Sequence, residues 1–389
     1  MAVSEKTLDF ELWTLDRLKV LIAPDKFKGT LTASAAAQAI ANGWSKVRPT
    51  DSLDLLPVTD GGDGFGEAMG RLLRANVMVT RTIDAAHRPR RAKWWWEPKT
   101  KTAIIESATA VGLAMLPSRR FHPFDLDTLG LGRLIQAAAR KGATRCLIGI
   151  GGSATNDAGF GLARALGWEF LDSNGTEIEQ WTDLVRLQHI RPPRKRRWFK
   201  ELLVAVDVQN PLFGKHGATR VYGPQKGMRP EDFEVAEYCL RRLAVVAKKD
   251  LRLDFANTPG AGAAGGLGFG LATFAGGKLE PGFDLFAEQS NLDRHLREAD
   301  LVITGEGRID HSTLMGKGVG EIASKCNQLR IPCIAMAGVA HPDPRLRRTF
   351  DQLHALLEVT SNPQAMTRPA YWLEYLVQKM TRRLRSGSH

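Results

Sequence analysis

The segment LKVLIAPDKFKGTLTASAAAQAIANGWSKV, residues 18–47, decides the fold class of this chain. Its first seven residues are mostly apolar and end at Pro24, which is typical of a strand buried in a parallel sheet. The alanine-rich stretch from Thr32 to Val47 predicts a helix. A strand, a loop and a helix in this order indicate an open α/β sheet, which binds its ligands beyond the carboxyl ends of its strands.

The same organisation returns further along the chain. SLDLLPV at 52–58 leads into a glycine-rich loop, shorter β-like pieces follow from about residue 76, and apolar strands return at 145–150 and in the last quarter of the sequence. We predict an α/β protein of two domains. One is flavodoxin/Rossmann-like and discontinuous (18–74 plus 289–385), the other is inserted (75–288), and the active site is expected in the cleft between them. Residues 1–17 are expected to form an amino-terminal extension.

Composition limits the class of protein. The chain has 389 residues with 43% hydrophobic residues and a net charge of +12, and no run approaches the roughly 18 apolar residues of a membrane span. The basic segment RPPRKRRW at 191–198 is more typical of a solvated loop than of nucleic-acid binding, since no recognition motif accompanies it. We therefore expect a cytoplasmic enzyme with neither a membrane nor a nucleic-acid partner.

The most informative loop is GIGGSATNDAG at 149–159, between a strand and a helix. Backbone amides in such glycine turns bind anions. The loop also fits G-x-G-x-x-A with Glu169 twenty residues past Gly149, which leaves an NAD(P)-dependent oxidoreductase of a small hydroxy acid as the alternative function. A carboxylate beside a pyrophosphate favours magnesium-dependent phosphoryl transfer instead. The candidate substrate- or phosphate-binding residues here are Gly151, Gly152, Ser153, Asn156 and Asp157.

Two further strand ends carry carboxylates. In PVTDGGDG the residues Asp60, Gly61, Gly62 and Asp63 predict a magnesium or sugar-hydroxyl site, because carboxylates so close together need a cation or a donor between them. Asp207 ends the apolar stretch LLVAVDV, a position from which a carboxylate can accept the proton of an attacking hydroxyl.

Positive charge is concentrated in two loops near the ends of the chain. Lys28 lies in DKFKGT, and Arg308 lies between Glu306 and Asp310 in ITGEGRID. We expect Lys28 and Arg308 to be catalytic cations and the two acids to take part in substrate or phosphate binding. Gly316 and Lys317 do not complete a P-loop, which would need glycine at position 311.

Eight motifs in this order resemble the bacterial glycerate kinase family: IAPDKFKGTLTA, PVTDGGDG, ESATAVGL, IGIGGSATNDAGFG, VAVDVQNPL, GATRVYGPQKG, PGAGAAGGLG and DLVITGEGRID. The resemblance runs from about residue 18 to about residue 385. It implies two α/β domains and the use of ATP and Mg²⁺ to phosphorylate D-glycerate, with 2-phosphoglycerate the favoured product. Asp60, Asp63 and Asp157 are the candidates for holding the metal. The sequence departs from the family pattern at TLGLGRLI, where Arg133 stands at a position that is commonly acidic.

Overall fold

The computed structural model describes residues 15–117, 120–314 and 318–386. Residues 1–14 of the expected extension and the Gly316–Lys317 pair lie outside the described residues. In chain order the strands are β1 (Lys19–Pro24), β2 (Ser52–Leu55), β3 (Asn76–Ile83), β4 (Pro89–Glu97), β5 (Thr102–Glu106), β6 (Arg145–Gly149), β7 (Glu169–Leu171), β8 (His189–Arg191), β9 (Glu201–Val206), β10 (Lys278–Pro281), β11 (Leu301–Ile309), β12 (Cys333–Ala340) and β13 (Gln352–Ala355).

The α-helices lie between these strands and after the last of them. They are α1 (Ala33–Ser45), α2 (Phe65–Leu72), α3 (Ala108–Val111), α4 (Leu129–Arg140), α5 (Phe160–Ala165), α6 (Ala218–Lys226), α7 (Phe233–Leu251), α8 (Ala263–Ala275), α9 (Gly282–Ser290), α10 (Leu292–Glu298), α11 (Gly318–Leu329), α12 (Pro344–Thr349), α13 (Asn362–Thr367) and α14 (Pro369–Ser386). The chain divides into two compact units, residues 1–59 with 286–389 and residues 60–285.

The first unit contains a five-stranded sheet of order β2-β1-β11-β12-β13 in which every pair is parallel. Counted within the unit this order is 2-1-3-4-5, the flavodoxin-like order. The expected flavodoxin-like, discontinuous architecture is therefore confirmed. The helix predicted after β1 is present as α1, and Thr32 caps it by accepting a hydrogen bond from the Ala35 amide. Trp44 of α1 and Val377 of α14 belong to the buried core.

The second unit contains a six-stranded sheet of order β10-β9-β6-β5-β4-β3. The four strands from β10 to β5 are parallel, and β4 and β3 continue the sheet antiparallel. Parallel strands buried on both faces need continuous apolar sequence, as in Cys146–Ile148 and Leu202–Val206. A separate two-stranded ribbon pairs β7 with β8.

The first boundary between the units differs from the one we expected from the sequence. Residues 60–74 were assigned to the discontinuous domain, but the structure includes them in the second unit. The reason is the packing of α2 on β4. A Cβ atom added to Gly66 or Gly70 would overlap the ring of Trp95, so these glycines let the helix lie directly against the indole. The second boundary lies at 285/286 instead of the expected 288/289. Within the described residues, no helix is both long and apolar enough to span a membrane.

Candidate active site

The parallel strands of the second unit end level with one another. Glu106 at the end of β5 pairs in register with Gly149 of β6, which pairs with Ala205 of β9. The segments that follow these strands therefore leave the sheet at a single edge, which is where open α/β sheets bind ligands. The glycine loop follows β6, Asp207 follows β9 and Gly282 follows β10.

The Asp60–Asp63 loop lies at this same edge in direct backbone contact with its neighbours. The Gly151 amide donates to the Gly61 carbonyl at 3.2 Å. A Cβ atom at Gly61 would lie 2.9 Å from the Ala205 carbonyl oxygen, and one at Gly282 would overlap the Asp60 carbonyl. The chain can come this close only because side chains are absent at these positions. The structure thus brings the second and third predicted loops together within one unit.

The two carboxylates of this loop differ in their surroundings. Asp60 is partly buried and its Oδ1 accepts a hydrogen bond from the Gly62 amide at 3.0 Å. Asp63 is exposed, and a Cβ atom at Gly152 would overlap its Oδ1, so this carboxylate oxygen lies directly over the glycine turn. Gly152 has φ +73°, a conformation that favours glycine. An exposed carboxylate above exposed backbone is suited to a metal ion that also binds phosphate.

Glu106 is a site residue that the sequence analysis missed. Its Oε1 accepts from the Gly64 amide at 3.1 Å and its Oε2 accepts from the Gly66 amide at 3.0 Å. The carboxylate therefore occupies the amino terminus of α2, which removes that helix end as an anion site and ties the Asp60–Asp63 loop to β5. The signal in the sequence was an acid at the end of the apolar strand TAIIE, in the motif ESATAVGL.

Three of the residues predicted in the glycine loop, Ser153, Asn156 and Asp157, lie beneath its surface. Ser153 is buried with its Oγ 2.9 Å from Thr155 Oγ1, and Asn156 is fully buried with its Nδ2 donating to Thr219 Oγ1 at 3.0 Å. These side chains hold the shape of the loop. Only the backbone of Gly151 and Gly152 is partly or fully exposed at the turn.

Asp157 is fully buried, and its surroundings do not fit the role of a phosphate or metal ligand that we predicted for it. Its Oδ2 accepts from the Thr128 amide at 2.9 Å, from Thr128 Oγ1 at 2.7 Å and from the Gly161 amide at 2.9 Å, and its Oδ1 accepts from the Gly159 amide at 3.3 Å. Burial, with a contribution from the neighbouring Asp127, raises the pKa of Asp157 to about 6. The carboxylate joins the beginnings of α4 and α5 and is not open to a ligand.

Asp207 directly follows β9, the strand-end position that the sequence predicted, and the structure shows that it is exposed. Close by, the Tyr222 hydroxyl donates to Asn210 Oδ1 at 2.7 Å. Burial raises the pKa of Tyr222 to about 12, and the negative charge of Asp207 adds to that shift. Asn210 also donates through Nδ2 to the His216 carbonyl at 2.8 Å, so the turn after Asp207 is fixed on both sides.

In the first unit, the loop that carries Lys28 lies against β11, which extends to Ile309 and therefore contains Glu306 and Arg308 instead of leaving them in a following loop. The Asp25 amide donates to the Gly305 carbonyl at 2.8 Å, and a Cβ atom at Gly307 would lie 3.0 Å from the Lys28 amide nitrogen. The Lys28 loop follows β1 and Arg308 lies near the carboxyl end of β11, and the strand order of this sheet reverses between these two central strands. The Lys28 and Arg308 side chains are exposed, and within the described part of the chain Arg308 forms no ion pair with Glu306 or Asp310.

The two acids beside Arg308 have local partners. Glu306 Oε1 accepts from Thr313 Oγ1 at 2.8 Å. Asp310 Oδ1 accepts from the Ser312 amide at 2.8 Å and from Ser312 Oγ at 2.6 Å, and these bonds lower the pKa of Asp310. Asp310 therefore shapes the turn after β11, while Glu306 remains partly accessible.

The carboxylates present fit a magnesium ion, although they do not form a complete set of ligands by themselves. No three His, Cys, Asp or Glu side chains come together as a metal site among the described residues. Mg²⁺ in kinases needs only one or two carboxylates, since phosphate oxygens and water complete its octahedron. The exposed Asp63 and the partly buried Asp60 provide such a set, whereas Asp157 does not.

The geometry does not support the oxidoreductase alternative. Glu169, the acid expected to bind a ribose, lies in the separate β7–β8 ribbon and pairs with Arg191 at 2.6 Å. A dinucleotide fold places that acid in the neighbouring strand of the parallel sheet itself. In addition, α5 begins at Phe160, eight residues after Gly152, instead of directly at the glycine turn.

Comparisons with known proteins agree with the fold and the loops. Residues 20–385 match the glycerate kinase family. The chain is 40% identical over 325 residues to the glycerate kinase of Bacillus subtilis, which covers 82% of this chain and 85% of the relative. It is 38% identical over 330 residues to the glycerate 2-kinase of Escherichia coli, with the same coverage.

A solved structure assigned as glycerate kinase 2 from Salmonella typhimurium LT2 superposes with a TM-score of 0.82 at 32% identity, covering 95% of this chain and 99% of that one. The chain belongs to the glycerate kinase family. The resemblance seen in the sequence is therefore confirmed, and so is the expected class of enzyme, a kinase that acts on a small molecule.

Proposed function

We propose that this protein transfers the γ-phosphoryl group of ATP to D-glycerate with the help of Mg²⁺, and that 2-phosphoglycerate is the product. The observation that carries the proposal is the set of loops at the carboxyl edge of the second unit's sheet. An exposed glycine turn, an exposed carboxylate above it and an exposed aspartate after β9 supply an anion site, a metal ligand and a base. Kinases need little else, because their catalysis is positioning and charge stabilisation.

Within this proposal, each of the exposed loop groups has its own role. The Gly151 and Gly152 backbone binds phosphate oxygens, and Asp60 and Asp63 hold Mg²⁺, which neutralises phosphate charge when bound. Asp207 accepts the proton of the attacking glycerate hydroxyl. Its position directly after β9, which is paired with a neighbouring strand on both sides, suits this role, since a base must hold its geometry to within a fraction of an ångström.

In the first unit, Lys28 and Arg308 bind anionic groups of the substrates. Lysine acts on phosphate or carboxylate as a point charge, whereas arginine can form a two-pronged bond with either. Their exposure and their positions near the adjacent carboxyl ends of β1 and β11, where the strand order reverses, support this assignment. Glu306, bonded to Thr313, is proposed to orient bound ligand.

The proposal is tested with purified protein, D-glycerate, ATP and MgCl₂, by following ADP formation. We expect glycerate-dependent turnover that EDTA abolishes and that L-glycerate does not support. Adding enolase without a mutase distinguishes the products, because only 2-phosphoglycerate is then dehydrated to an enol phosphate with ultraviolet absorbance. ADP formation without that absorbance would mean phosphorylation at the 3-position, and no glycerate-dependent ADP at all would overturn the proposed activity.

A further inference from the structure

Lys226, at the end of α6, is a buried cation that neither the sequence analysis nor the proposed mechanism uses. Its side chain is 6% exposed, and its Nζ donates to the Thr155 carbonyl at 2.6 Å. Thr155 is fully buried and belongs to the glycine loop of the second unit. Burial lowers the pKa of Lys226 to about 7, although the nearby Asp157 opposes that shift.

The space for this bond is made by another glycine. A Cβ atom at Gly265 would overlap the Thr155 carbonyl and lie 2.8 Å from Lys226 Nζ. Gly265 has φ +72°, and its own carbonyl accepts from the Ala158 amide at 3.1 Å. The ammonium, the loop carbonyl and the backbone of the glycine-rich segment are therefore packed together without room for another group.

Lys226 is one of three polar residues on a single face of α6. Thr219, Tyr222 and Lys226 follow the spacing i, i+3, i+7, which places them on the same side of a helix. Thr219 Oγ1 accepts from Asn156, the Tyr222 hydroxyl donates to Asn210, and Lys226 donates to the Thr155 carbonyl. This face of α6 thus holds both the glycine loop after β6 and the turn that follows Asp207.

A buried ammonium is a poor way to stabilise a fold. Removing it from water costs free energy that a single hydrogen bond to a neutral carbonyl does not recover in full. A lysine kept in such a place is better explained by a role in the site than by stability. The carbonyl that it fixes lies three residues after Gly152, where the backbone is exposed at the turn.

We propose that Lys226 is a positioning residue for phosphoryl transfer: by holding the Thr155 carbonyl it fixes the anion-binding turn at Gly151 and Gly152. The inference rests on the proposed function of that turn. It adds a residue with no direct contact to substrate, which acts through the backbone of the loop. Loss of the bond frees the loop to move, and a shift of about 1 Å in a catalytic loop is enough to cost roughly 10²-fold in rate.

The test compares Lys226→Met, which removes the donor and the charge, with Lys226→Gln, which keeps a neutral donor. Arg220→Met is the matched control, since Arg220 lies on the same helix but is exposed. We expect the methionine variant to stay folded with a melting temperature close to that of the wild type, because the relieved desolvation of the ammonium offsets the unpaired Thr155 carbonyl. We expect its kcat to fall at least tenfold, with KM values for ATP and D-glycerate changing less than threefold. We expect the glutamine variant to recover part of kcat and Arg220→Met to resemble the wild type.

Hydrogen exchange of peptides spanning residues 151–158 gives a readout that does not depend on turnover. We expect faster exchange in Lys226→Met than in the wild type and no change in Arg220→Met. Unchanged exchange, a kcat within threefold of wild type, or a loss of activity that only parallels a lower melting temperature would each overturn the positioning role. A wild-type protein without glycerate-dependent turnover would overturn the proposed function instead, and the exchange comparison would still decide whether Lys226 holds the loop.

Discussion

Substituting Gly282 by alanine should disable the enzyme by moving the Asp60–Asp63 loop without removing any polar group from it. Gly282 begins α9, directly after β10, and is buried. An added Cβ atom would overlap the Asp60 carbonyl and lie 2.8 Å from the Gly61 nitrogen. The distance to the Asp60 carbonyl oxygen would be 1.9 Å. Ordinary contacts of a carbon atom begin near ~3.5 Å, so the two segments must separate by roughly 1.5 Å.

The loop is expected to give way, because Pro281 is held in register with Val206 in the parallel sheet. A displacement of ~1 Å in a catalytic loop typically costs ~10²-fold in rate, which corresponds to about 2.7 kcal/mol of transition-state stabilisation. The cost in folding is smaller. Overpacking destabilises by about 1–3 kcal/mol, but alanine is favoured over glycine in a helix by up to ~1 kcal/mol.

The assay is kcat/KM for D-glycerate at saturating ATP, alongside urea unfolding. Gly277→Ala is the control: Gly277 precedes β10 at its other end, and its added Cβ atom would meet mainly the Val204 side chain, at 2.8 Å. We expect kcat/KM to fall ~10²-fold in Gly282→Ala and to stay within threefold in the control. A folded Gly282→Ala enzyme with near-normal kcat/KM would show that the geometry of the Asp60–Asp63 loop does not matter for the reaction, and equal losses in both variants would remove the loop as the cause.

Three further predictions test individual side chains. Asp207→Asn should lower kcat ~10²-fold or more with little change in ATP affinity, the scale of a lost proton transfer, and near-normal turnover would exclude it as the base. Lys28→Ala and Arg308→Ala should each lower kcat/KM at least tenfold, because a fixed cation at a developing charge contributes about 2–4 kcal/mol; a smaller loss in a variant whose circular dichroism is normal would exclude that residue. For Asp157, a pKa raised from 3.8 to about 6 means that the folded state binds the proton more tightly, so its contribution to stability is present at low pH and is lost as pH rises from about 4 to 6. Relative to Asp157→Asn, the wild type should therefore lose roughly 2 kcal/mol of unfolding free energy over that interval, and parallel pH curves from urea titrations would contradict the raised pKa of Asp157.

Much of the architecture follows from local sequence. Apolar stretches such as LKVLIAP and LLVAVDV are strands because a parallel sheet buries both of their faces, and glycines mark the turns that follow. Those patterns predicted the α/β class, the loops at strand ends and the position of Asp207 at the end of a strand. The order of the motifs also indicated the family.

Packing between distant segments decided what the sequence pattern left open. The assignment of residues 60–74 to the second unit depends on Trp95, whose ring meets the glycines of α2 from another strand. The sequence of the glycine loop does not show whether the Asp157 carboxylate is exposed or buried. Asp157 can be buried because Thr128, 29 residues earlier in the chain, supplies two of the hydrogen bonds that its carboxylate needs.

By itself, then, the sequence determined the fold class, the glycine-marked loops and the family, because strand burial and turn chemistry are read within a few neighbouring residues. Only the tertiary structure decided which polar side chains face solvent and which hold the loops from beneath. Lys226 illustrates the reason. Its partner, the Thr155 carbonyl, lies 71 residues away in the sequence. Every type of residue has a backbone carbonyl, so the identity of residue 155 does not reveal the hydrogen bond.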